Sequence, residues 1–470
     1  MGAADKDIAI IGMSCIYAGA PDLETYWQNI VNKVDCVTDP PDDWGYPEVF
    51  DPESDRNDRV YTRKGGYLGK LATYHPIEFG TIPRSVEGGE PDHFLAMRVA
   101  KEALDDAGNP EERIDRERVE VIVGKGTYAN RGLAVVLQHG LITDQTLKIL
   151  KKLHPEYTDD DLEEIRRELK KSLPPFTSDT LAAIVPNILC NRIANRLDFM
   201  GPSYVVDAAC ASSMIALQQG VNDLLSDRCD MVVMGGVHAS AAPPVLMTFC
   251  QIEALSRTGR IKPFDKDADG TLLGEGVGMI VLKRRADAER DNDRIYALVK
   301  GVGTSSDGKA LGLLAPRVEG QVLAMKRAWE MSGLEPGTAE LIEAHGTGTT
   351  VGDVVEMQSM SQIFGKRNGL PTIAVGTVKS MISHTIPAAG TAGLIKTALA
   401  IHHRVLPATL NCSEVNPAFE IDKTPFYINT DTRPWIRGKK GPRRAGVNAF
   451  GFGGVNGHVI LEEYTGEKGK

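Results

Sequence analysis

Short apolar runs and longer amphipathic stretches alternate along this chain. The runs are rich in Val, Ile and Met and are bounded by Gly or Asp, whereas the longer stretches repeat their apolar residues with helical spacing. This alternation predicts an α/β fold with mainly buried strands. The predicted strands lie at 7–11, 119–123, 231–234, 279–282 and 373–375, and the predicted helices at 94–107, 212–225, 320–332 and 388–402.

Two segments of similar pattern suggest that the chain contains two related halves. RVEVIVGKGT at 118–127 and TAELIEAHGT at 338–347 both read as a strand that enters a glycine turn ending in threonine. A cluster of Pro, Asp and Gly at 262–270, KPFDKDADG, is a good place for a boundary. We therefore predict an N-terminal half at 1–262 and a C-terminal half at 263–465.

A charged helix interrupts the first half. In TDDDLEEIRRELKK at 158–171, Thr158 is a candidate N-cap, acids fill the first turn and bases the last. Pro174 and Pro175 follow it. We interpret about 140–176 as a helical insertion, solvated on its surface and held by Glu–Arg pairs.

Composition and charge narrow the class of protein. The 470 residues include 42% hydrophobic and 25% charged side chains, with a formal net charge of −10. These proportions indicate a globular protein and argue against disorder and against binding along nucleic acid. No apolar stretch approaches the roughly 18 residues of a membrane span, and the first residues lack the basic region of a signal peptide.

The seven cysteines are odd in number and scattered, which predicts reduced thiols and a cytoplasmic location. Cys210 differs from the others because it follows a strand-like run and precedes a helix, in VVDAACASS at 205–213. A helix start favours the thiolate over the thiol, so Cys210 is a candidate nucleophile. The alternative is a buried structural cysteine, which we expect for the other six.

Two histidines lie where a base or hydrogen-bond donor is useful. His345 ends a predicted strand in EAHGTGT at 343–349, and His384 precedes a helix in VKSMISHTIPAAG at 378–390. Neither lies on an apolar helix face, although a structural role stays open for both. NAFGFGGVNGH at 448–458 adds a glycine loop suited to an oxyanion or ligand.

Nucleotide and metal sites have no support in the sequence. The glycine loop is not followed by the helix and acidic residue of a dinucleotide fingerprint, and there is no P-loop, H-E-x-x-H or paired C-x-x-C. We expect no cofactor bound by the domain itself.

Together, these pieces resemble the β-ketoacyl synthase family, and specifically the ketosynthase domains of modular or iterative type I polyketide synthases. The resemblance implies a thiolase-like fold with two similar α/β halves in a five-layered αβαβα core, and a homodimer. The ordered motifs that carry it are DIAIIGMSC at 7–15, DAACASS at 207–213, PFDKDADGTLLGEG at 263–276, EAHGTGT at 343–349, VKSMISHT at 378–385 and NAFGFGGVNGHVILEE at 448–463.

The resemblance also implies roles for individual residues. Cys210 takes an acyl group from the phosphopantetheine thioester of an acyl carrier protein, and a malonyl-type carrier protein then undergoes decarboxylative Claisen condensation with it. His345 and His384 support decarboxylation, and Lys379 orders the histidine site by its charge. The resemblance makes Phe452 the gate residue, and its backbone amide joins that of Cys210 in the oxyanion hole. The implied substrate-binding residues are Thr347 and Thr349 of the pantetheine site, and Gly453 and Gly454 of the glycine loop at 451–457.

Some features leave alternatives open. Met381 and Ser383 replace the Asn and Gly usual in K-S-N-I-G-H-T, so a non-condensing ketosynthase that only binds or transfers acyl chains remains possible. The segments 59–68, 87–91 and 158–171 resemble ketosynthases of the iterative polyketide or polyunsaturated-fatty-acid type. A thiolase is disfavoured, because no second cysteine occupies 451–457.

The resemblance further implies neighbouring polyketide synthase domains as partners, since the chain fits either an excised domain or a free-standing ketosynthase. The basic cluster RGKKGPRR at 437–444 is either a docking patch for an acidic carrier protein or a solvated loop.

Overall fold

A computed structural model describes residues 6–42, 44, 47–128, 130–309, 312–436 and 441–466 of the chain. Eleven of its strands form one mixed sheet, and two short strands form a separate ladder. The strands are β1 Ile8–Tyr17, β2 Val119–Lys125, β3 Ser203–Val206, β4 Met231–His238, β5 Gly276–Arg284, β6 Ala297–Ser306, β7 Leu341–Glu343, β8 Ile373–Gly376, β9 Val405–Leu406, β10 Phe426–Ile428, β11 Arg433–Pro434, β12 Arg444–Gly451 and β13 Val455–Glu462.

Fifteen α-helices connect these strands in the described part of the chain. They are α1 Leu23–Val31, α2 Pro83–Glu87, α3 Pro91–Asp106, α4 Arg131–Leu137, α5 Thr143–Leu153, α6 Asp159–Lys171, α7 Ser178–Ile184, α8 Ile188–Leu197, α9 Ser212–Leu225, α10 Pro243–Gln251, α11 Arg285–Arg290, α12 Val318–Ser332, α13 Gly352–Phe364, α14 Lys379–Ile382 and α15 Ala389–His403. None of them combines the length and apolar character needed to span a lipid bilayer.

The predicted strands and helices are confirmed, and most bounds agree within a few residues, although β1 continues six residues beyond the predicted end at residue 11. Buried β-branched runs form the sheet because such side chains pack well on a pleated surface. The predicted charged helix is α6: Thr158 caps it, its side chain accepts from the Asp161 N–H, and the Asp161 carboxylate accepts in return from the Thr158 N–H. No residue of α6 is buried, as expected for a solvated insertion.

The sheet consists of two repeats with the same strand order and direction. The first runs β1-β5-β4-β2-β3 and the second β6-β13-β12-β7-β8, with β10 added at the end. In each repeat the first two pairings between neighbouring strands are antiparallel, and the next two are parallel. The antiparallel pair β1–β6 joins the repeats. The similar segments at 118–127 and 338–347 contain β2 and β7, which occupy equivalent positions.

The repeats meet between Arg284 and Ala297, because β5 completes the first repeat and β6 begins the second. This differs from the division at 262/263 predicted from the sequence. The Pro-, Asp- and Gly-rich stretch is a loop within the first repeat that leads to β5, so its composition marks a connection and not a change of repeat.

Helices and strands stack in five layers. Apolar residues of α3 and α8 pack on the outer face of the first repeat, and those of α12 and α13 on the outer face of the second. Between the repeats lie α9 and α15, whose residues share one core with strands of both. Residues 389–401 of α15 are all buried, which fits a helix that is apolar on nearly every side. This is the thiolase-like αβαβα architecture expected from the sequence.

Candidate active site

Cys210 lies on a tight turn between β3 and α9. A single 3₁₀ turn, Ala209–Ala211, connects the two elements. Ala209 has φ +50°, in the left-handed region that disfavours residues with a Cβ. The Ser212 hydroxyl accepts from the Ala208 N–H at 2.9 Å and donates to the Ala209 carbonyl at 2.6 Å, which holds the turn in place. The turn thus presents the Cys210 thiol at the start of a buried helix.

Burial and the neighbouring groups shift the pKa of the Cys210 thiol in opposite directions. Burial raises the pKa of Cys210 to about 11, while the Lys379 charge and the backbone amides of Phe452 and Cys210 act to lower it. The two amides are those expected to form an oxyanion hole. The prediction that the helix start favours the thiolate over the thiol is wrong for the free protein, because desolvation of the 3% exposed side chain outweighs it.

The other cysteines are free thiols in the described structure. Five of the remaining six are buried as predicted, and Cys412 is only partly buried. Cys210, unlike these six cysteines, lines a cavity of about 520 Å³.

His345 and His384 face each other in the same cavity as Cys210. Their ring centroids lie 5.3 Å apart with the rings nearly perpendicular. The Phe450 N–H donates to His345 Nδ1 at 3.4 Å, so the ring proton of His345 belongs on Nε2. Burial, the charge of Lys379 and the other histidine lower the pKa of His345; burial, Lys379 and His238 lower that of His384. Both rings are neutral near pH 7 and able to donate an N–H.

Two buried carboxylates of α13 hold the loop that carries His345. Glu356 accepts from the backbone N–H groups of His345 at 2.7 Å and Gly346 at 2.8 Å, and from the Asn448 amide at 2.8 Å. Asp353, one turn earlier, accepts from the Gly348 N–H at 3.1 Å. Sequence reasoning missed Glu356, although its i, i+3 spacing from Asp353 on one helix face was a usable signal.

Lys379 is not among the residues that line the cavity. It begins α14 and is 4% exposed. Burial lowers its pKa, and Glu343, Glu356, Cys210 and Asp353 oppose that shift. Glu343 itself forms a buried ion pair with Lys396 at 2.6 Å. Lys379 therefore affects the site through its charge, which lowers the pKa values of Cys210 and of both histidines.

The loop before His384 adopts a backbone conformation typical of glycine, although Ser383 replaces the glycine usual in K-S-N-I-G-H-T. Ser383 has φ +67° and ψ −178°, a region that favours glycine. Its Cβ fits because Gly66 lacks one: a Cβ at Gly66 would lie 3.3 Å from it and 1.9 Å from the Ile382 carbonyl oxygen. The His384 N–H donates to the Leu272 carbonyl at 2.8 Å and fixes the ring's position.

The glycine loop at 451–457 closes against the turn of Cys210. A Cβ at Gly451 would lie 2.4 Å from the Ala208 carbonyl oxygen, so only glycine allows this approach. The Phe452 ring packs 5.7 Å from that of Phe249, and both line the cavity. Gly454 lines the cavity as well, whereas Gly453 is exposed and does not.

The remaining predicted residues, Thr347 and Thr349, belong to the wall of the same cavity. Their hydroxyls are 3.1 Å apart. The cavity thus joins a thiol, two neutral imidazoles, two amides directed at the thiol and a pair of hydroxyls, an arrangement suited to transfer of an acyl group. Among the described residues no group of three or more His, Cys, Asp and Glu side chains is arranged to hold a metal ion.

The basic cluster at 437–444 is only partly described, since residues 437–440 lie outside the described ranges. Within the described part, Arg443 pairs with Glu463 at 2.7 Å and Arg444 with Glu462 at 2.6 Å. These two arginines are engaged within the fold, which argues against them as free docking charges.

Three family models cover this chain. The β-ketoacyl synthase N-terminal domain matches residues 5–288, its C-terminal domain matches 296–413, and the ketoacyl-synthetase C-terminal extension matches 416–470. The first two models meet where the two repeats of the sheet meet.

Similar proteins are large synthases. A polyunsaturated fatty acid synthase polypeptide of Thraustochytrium sp. (strain ATCC 26185 / S-3) is 35% identical over 98% of this chain and 16% of its own length. Polyketide synthase PksN of Bacillus subtilis (strain 168) is 34% identical over 99% of this chain and 8% of its own. The chain thus spans less than a fifth of either relative.

Solved structures of similar proteins share the fold. A ketosynthase from module 6 of the bacillaene synthase of Bacillus subtilis 168 has a TM-score of 0.82 and 31% identity, over 98% of this chain and 72% of that one. The oxazolomycin ketosynthase domain OzmH KS7 of Streptomyces albus JA3453 has a TM-score of 0.85 and 30% identity, over 99% and 75%.

Proposed function

Since this chain belongs to the β-ketoacyl synthase family, we propose that it is a condensing ketosynthase of polyketide biosynthesis. The observation that carries the proposal is the meeting of Cys210, His345 and His384 in one cavity that Thr347 and Thr349 also line. A thiol nucleophile beside two neutral N–H donors has the groups that acyl transfer and decarboxylation need.

The first step transfers an acyl group from the phosphopantetheine thioester of an acyl carrier protein. The Cys210 sulfur attacks the thioester carbon while the Cys210 and Phe452 amides, which point at this sulfur, stabilise the negative oxygen. The bond from the carbonyl carbon to the pantetheine sulfur breaks, and the proton lost by Cys210 ends on the departing pantetheine thiol. The product is an acyl-Cys210 thioester.

The second step joins the acyl group to a malonyl-type unit on a carrier protein. The carbon–carbon bond between the malonyl unit and its carboxylate breaks, and CO₂ leaves. The electron pair of that bond forms an enolate, whose oxygen accepts hydrogen bonds from the N–H groups of His345 and His384. The enolate carbon attacks the acyl-Cys210 carbon, and the Cys210 sulfur leaves as thiolate. A β-ketoacyl chain two carbons longer remains on the pantetheine arm.

The partners follow from this chemistry. We propose an acyl carrier protein that brings each substrate, neighbouring synthase domains, and a second copy of this chain. The proposed dimer contact is β3, the outermost strand of the first repeat, whose residues are all only partly buried. No cofactor other than the substrates' own pantetheine is required.

Mass spectrometry tests the proposal directly. After incubation with an acyl-pantetheine thioester we expect one acyl group on the peptide that contains Cys210, and none in Cys210→Ala. His384→Ala should acylate but release no CO₂ from malonyl carrier protein. Absence of the adduct in the wild-type protein would overturn acyl transfer.

A second candidate function, an acyl-binding ketosynthase that does not condense, is favoured by one observation. Ser383 stands beside His384 in a conformation that suits glycine. Acylation of Cys210 without CO₂ release from malonyl carrier protein by the wild-type protein would establish this second function in place of the first.

A further inference from the structure

Gln321 is a buried polar residue in the wall of the cavity that contains Cys210. It lies in the first turns of α12 and is 1% exposed. Its Oε1 atom has no hydrogen-bond partner in the described structure. A buried carboxamide oxygen without a partner is energetically unfavourable, so a partner absent from the protein chain is the natural reason for its position.

The start of α12 is fixed in place, so the orphan oxygen does not result from a loose helix end. A Cβ at Gly320 would lie 1.9 Å from Asp307 Oδ1 and 2.7 Å from Asn456 Nδ2, and the Ser305 hydroxyl donates to the Gly320 carbonyl at 2.5 Å. This close packing holds the neighbouring Gln321 in the cavity wall.

Some other polar groups of the cavity wall already have partners. Asp307 Oδ1 accepts from the Asn456 amide at 2.8 Å, and the Thr347 and Thr349 hydroxyls contact each other. Apolar residues such as Leu314, Pro316 and Val351 also line the cavity. A ligand in the cavity therefore meets an unpartnered acceptor at Gln321, and this favours a hydrogen-bond donor at that position.

We propose that the Gln321 carboxamide binds the pantetheine arm of the substrate by accepting a hydrogen bond from one of its amide N–H groups. This inference rests on the proposed function, because it takes an acyl-pantetheine thioester as the ligand. The pantetheine arm is favoured over the acyl chain because Gln321 shares its cavity with the Thr347–Thr349 hydroxyl pair and lies on α12, which packs against the α13 helix that follows this pair. Gln321 is then a binding residue for the arm, distinct from the groups that react.

Gln321→Met tests this inference, because it keeps the length of the side chain and removes the acceptor. The measurement is the rate of Cys210 acylation as a function of butyryl-pantetheine concentration, followed by mass spectrometry of the intact protein. We expect the half-saturating concentration to rise about 3- to 10-fold with the maximal rate unchanged. Gln321→Glu, which retains an acceptor, should be affected less, and Leu323→Ala on the exposed side of α12 should match the wild type.

Two further substrates identify the group that Gln321 binds. Butyryl-N-acetylcysteamine contains only the amide nearest to the sulfur. If Gln321→Met raises the half-saturating concentration of this substrate as much as that of butyryl-pantetheine, Gln321 binds that amide; if the rise is lost, Gln321 binds the distant amide. Both results support the proposal. An effect confined to 3-hydroxybutyryl-pantetheine would assign the contact to the acyl hydroxyl and overturn it.

Other outcomes also overturn the inference while leaving the proposed function intact. An unchanged half-saturating concentration in Gln321→Met would mean that water satisfies the amide. A lower maximal rate at an unchanged half-saturating concentration would mean that Gln321 only supports the fold. Failure of the wild-type protein itself to acylate would count against the proposed function instead.

Discussion

Ser383 combines two unfavourable features at one residue. Its backbone lies at φ +67° and ψ −178°, and its buried hydroxyl has no partner in the described structure. Residues other than glycine in this region cost about 1–3 kcal/mol. The neighbouring His384 is tied by its backbone to Leu272 and Gly274, so the surrounding structure keeps the strained residue in place.

Ser383→Gly is therefore expected to stabilise the protein. Removal of the Cβ relieves the strain, and the greater freedom of glycine in the unfolded chain offsets part of the gain. We expect the free energy of unfolding in urea to rise by about 1–2 kcal/mol. Ser383→Ala is the matched control, because it removes the hydroxyl and keeps the Cβ. Equal stabilisation by both variants would assign the cost to the unpaired hydroxyl and not to the backbone.

The pKa of Cys210 predicts how its reactivity depends on pH. A thiol whose pKa is raised to about 11 is protonated near neutral pH. At pH values below that pKa, its thiolate fraction increases about tenfold each time the pH rises by one unit. Alkylation of Cys210 by iodoacetamide should rise accordingly between about pH 7 and about pH 10. Mass spectrometry of the peptide that contains Cys210 measures this rate.

Lys379→Met provides the matched comparison for that profile. The Lys379 charge lowers the pKa of Cys210, so its removal should raise that pKa and slow alkylation near neutral pH. The difference should shrink towards about pH 10, because burial lowers the pKa of Lys379 and the wild-type lysine then loses its own charge. A rate that levels off near pH 8 in the wild-type protein would show that the amides and Lys379 outweigh burial, contrary to this prediction.

The sequence pointed to the reacting residues of the candidate site but not to their electrostatic balance. Cys210, His345 and His384 stand in recognisable local patterns, and the structure brings them together. The direction of the Cys210 pKa shift depends on burial by segments far away in the sequence, which no local pattern reports. Gln321 was missed for a similar reason, since its importance lies in its buried position in the cavity wall, which no local pattern reports.

At the scale of elements, α5 and α6 form a unit that contributes little to the core. Arg166 of α6 pairs with Asp144 of α5 at 2.7 Å, and only Thr143 and Leu147 of α5 are buried. The two ends of the segment lie close together, because His139 Nε2 hydrogen-bonds the Pro174 carbonyl at 2.8 Å. These contacts support the proposal that the region is an insertion into the first repeat.

Replacement of residues 143–173 by a short Gly-Ser linker should therefore preserve the fold and the acylation of Cys210. We expect the thermal midpoint to change by less than about 4 °C, measured by circular dichroism, with the adduct measured by mass spectrometry. The contrasting variant is Gly132→Val, because a Cβ there would lie 2.8 Å from the Ala183 Cβ and separate α4 from α7. It should cost about 1–3 kcal/mol. A deletion variant that aggregates or fails to acylate would show that the helices belong to the core.

Local periodicity was sufficient to predict the main strands and helices, but not how they assemble. The apolar run at 7–11 indicates a strand, yet its partner β5 begins more than two hundred residues later, at Gly276. Composition also misplaced the boundary between the repeats, because a Pro- and Gly-rich loop looks the same within a repeat and between two of them.

At the scale of the whole molecule, the free edge of β3 is where the proposed dimer should form. The Val121 N–H of β2 donates to the Pro202 carbonyl, so the N–H of Ser203 points away from β2. Asn187 covers part of this edge, accepting from the Val205 N–H at 3.1 Å. The donor at Ser203 remains available to a strand from a second copy, as unpaired edges generally are.

Ser203→Pro removes that donor without removing a hydrogen bond to β2, since proline is tolerated on the outward side of an edge strand. Two edges meet in a symmetric dimer, so two donors are lost. We expect the dissociation constant, measured by sedimentation equilibrium, to rise about 5- to 150-fold, which corresponds to about 1–3 kcal/mol.

Ser203→Ala separates the edge donor from the rest of the residue. It keeps the backbone N–H and removes only a buried hydroxyl that has no partner in the described structure, so it should dimerise like the wild type. Equal weakening by both variants would mean that the side chain, and not the strand edge, makes the contact. A wild-type protein that sediments as a monomer of 50.9 kDa at micromolar concentration would remove the basis for the dimer altogether. Because β3 leads directly to the turn of Cys210, a change in acylation rate that tracks the dimer fraction would link assembly to the site.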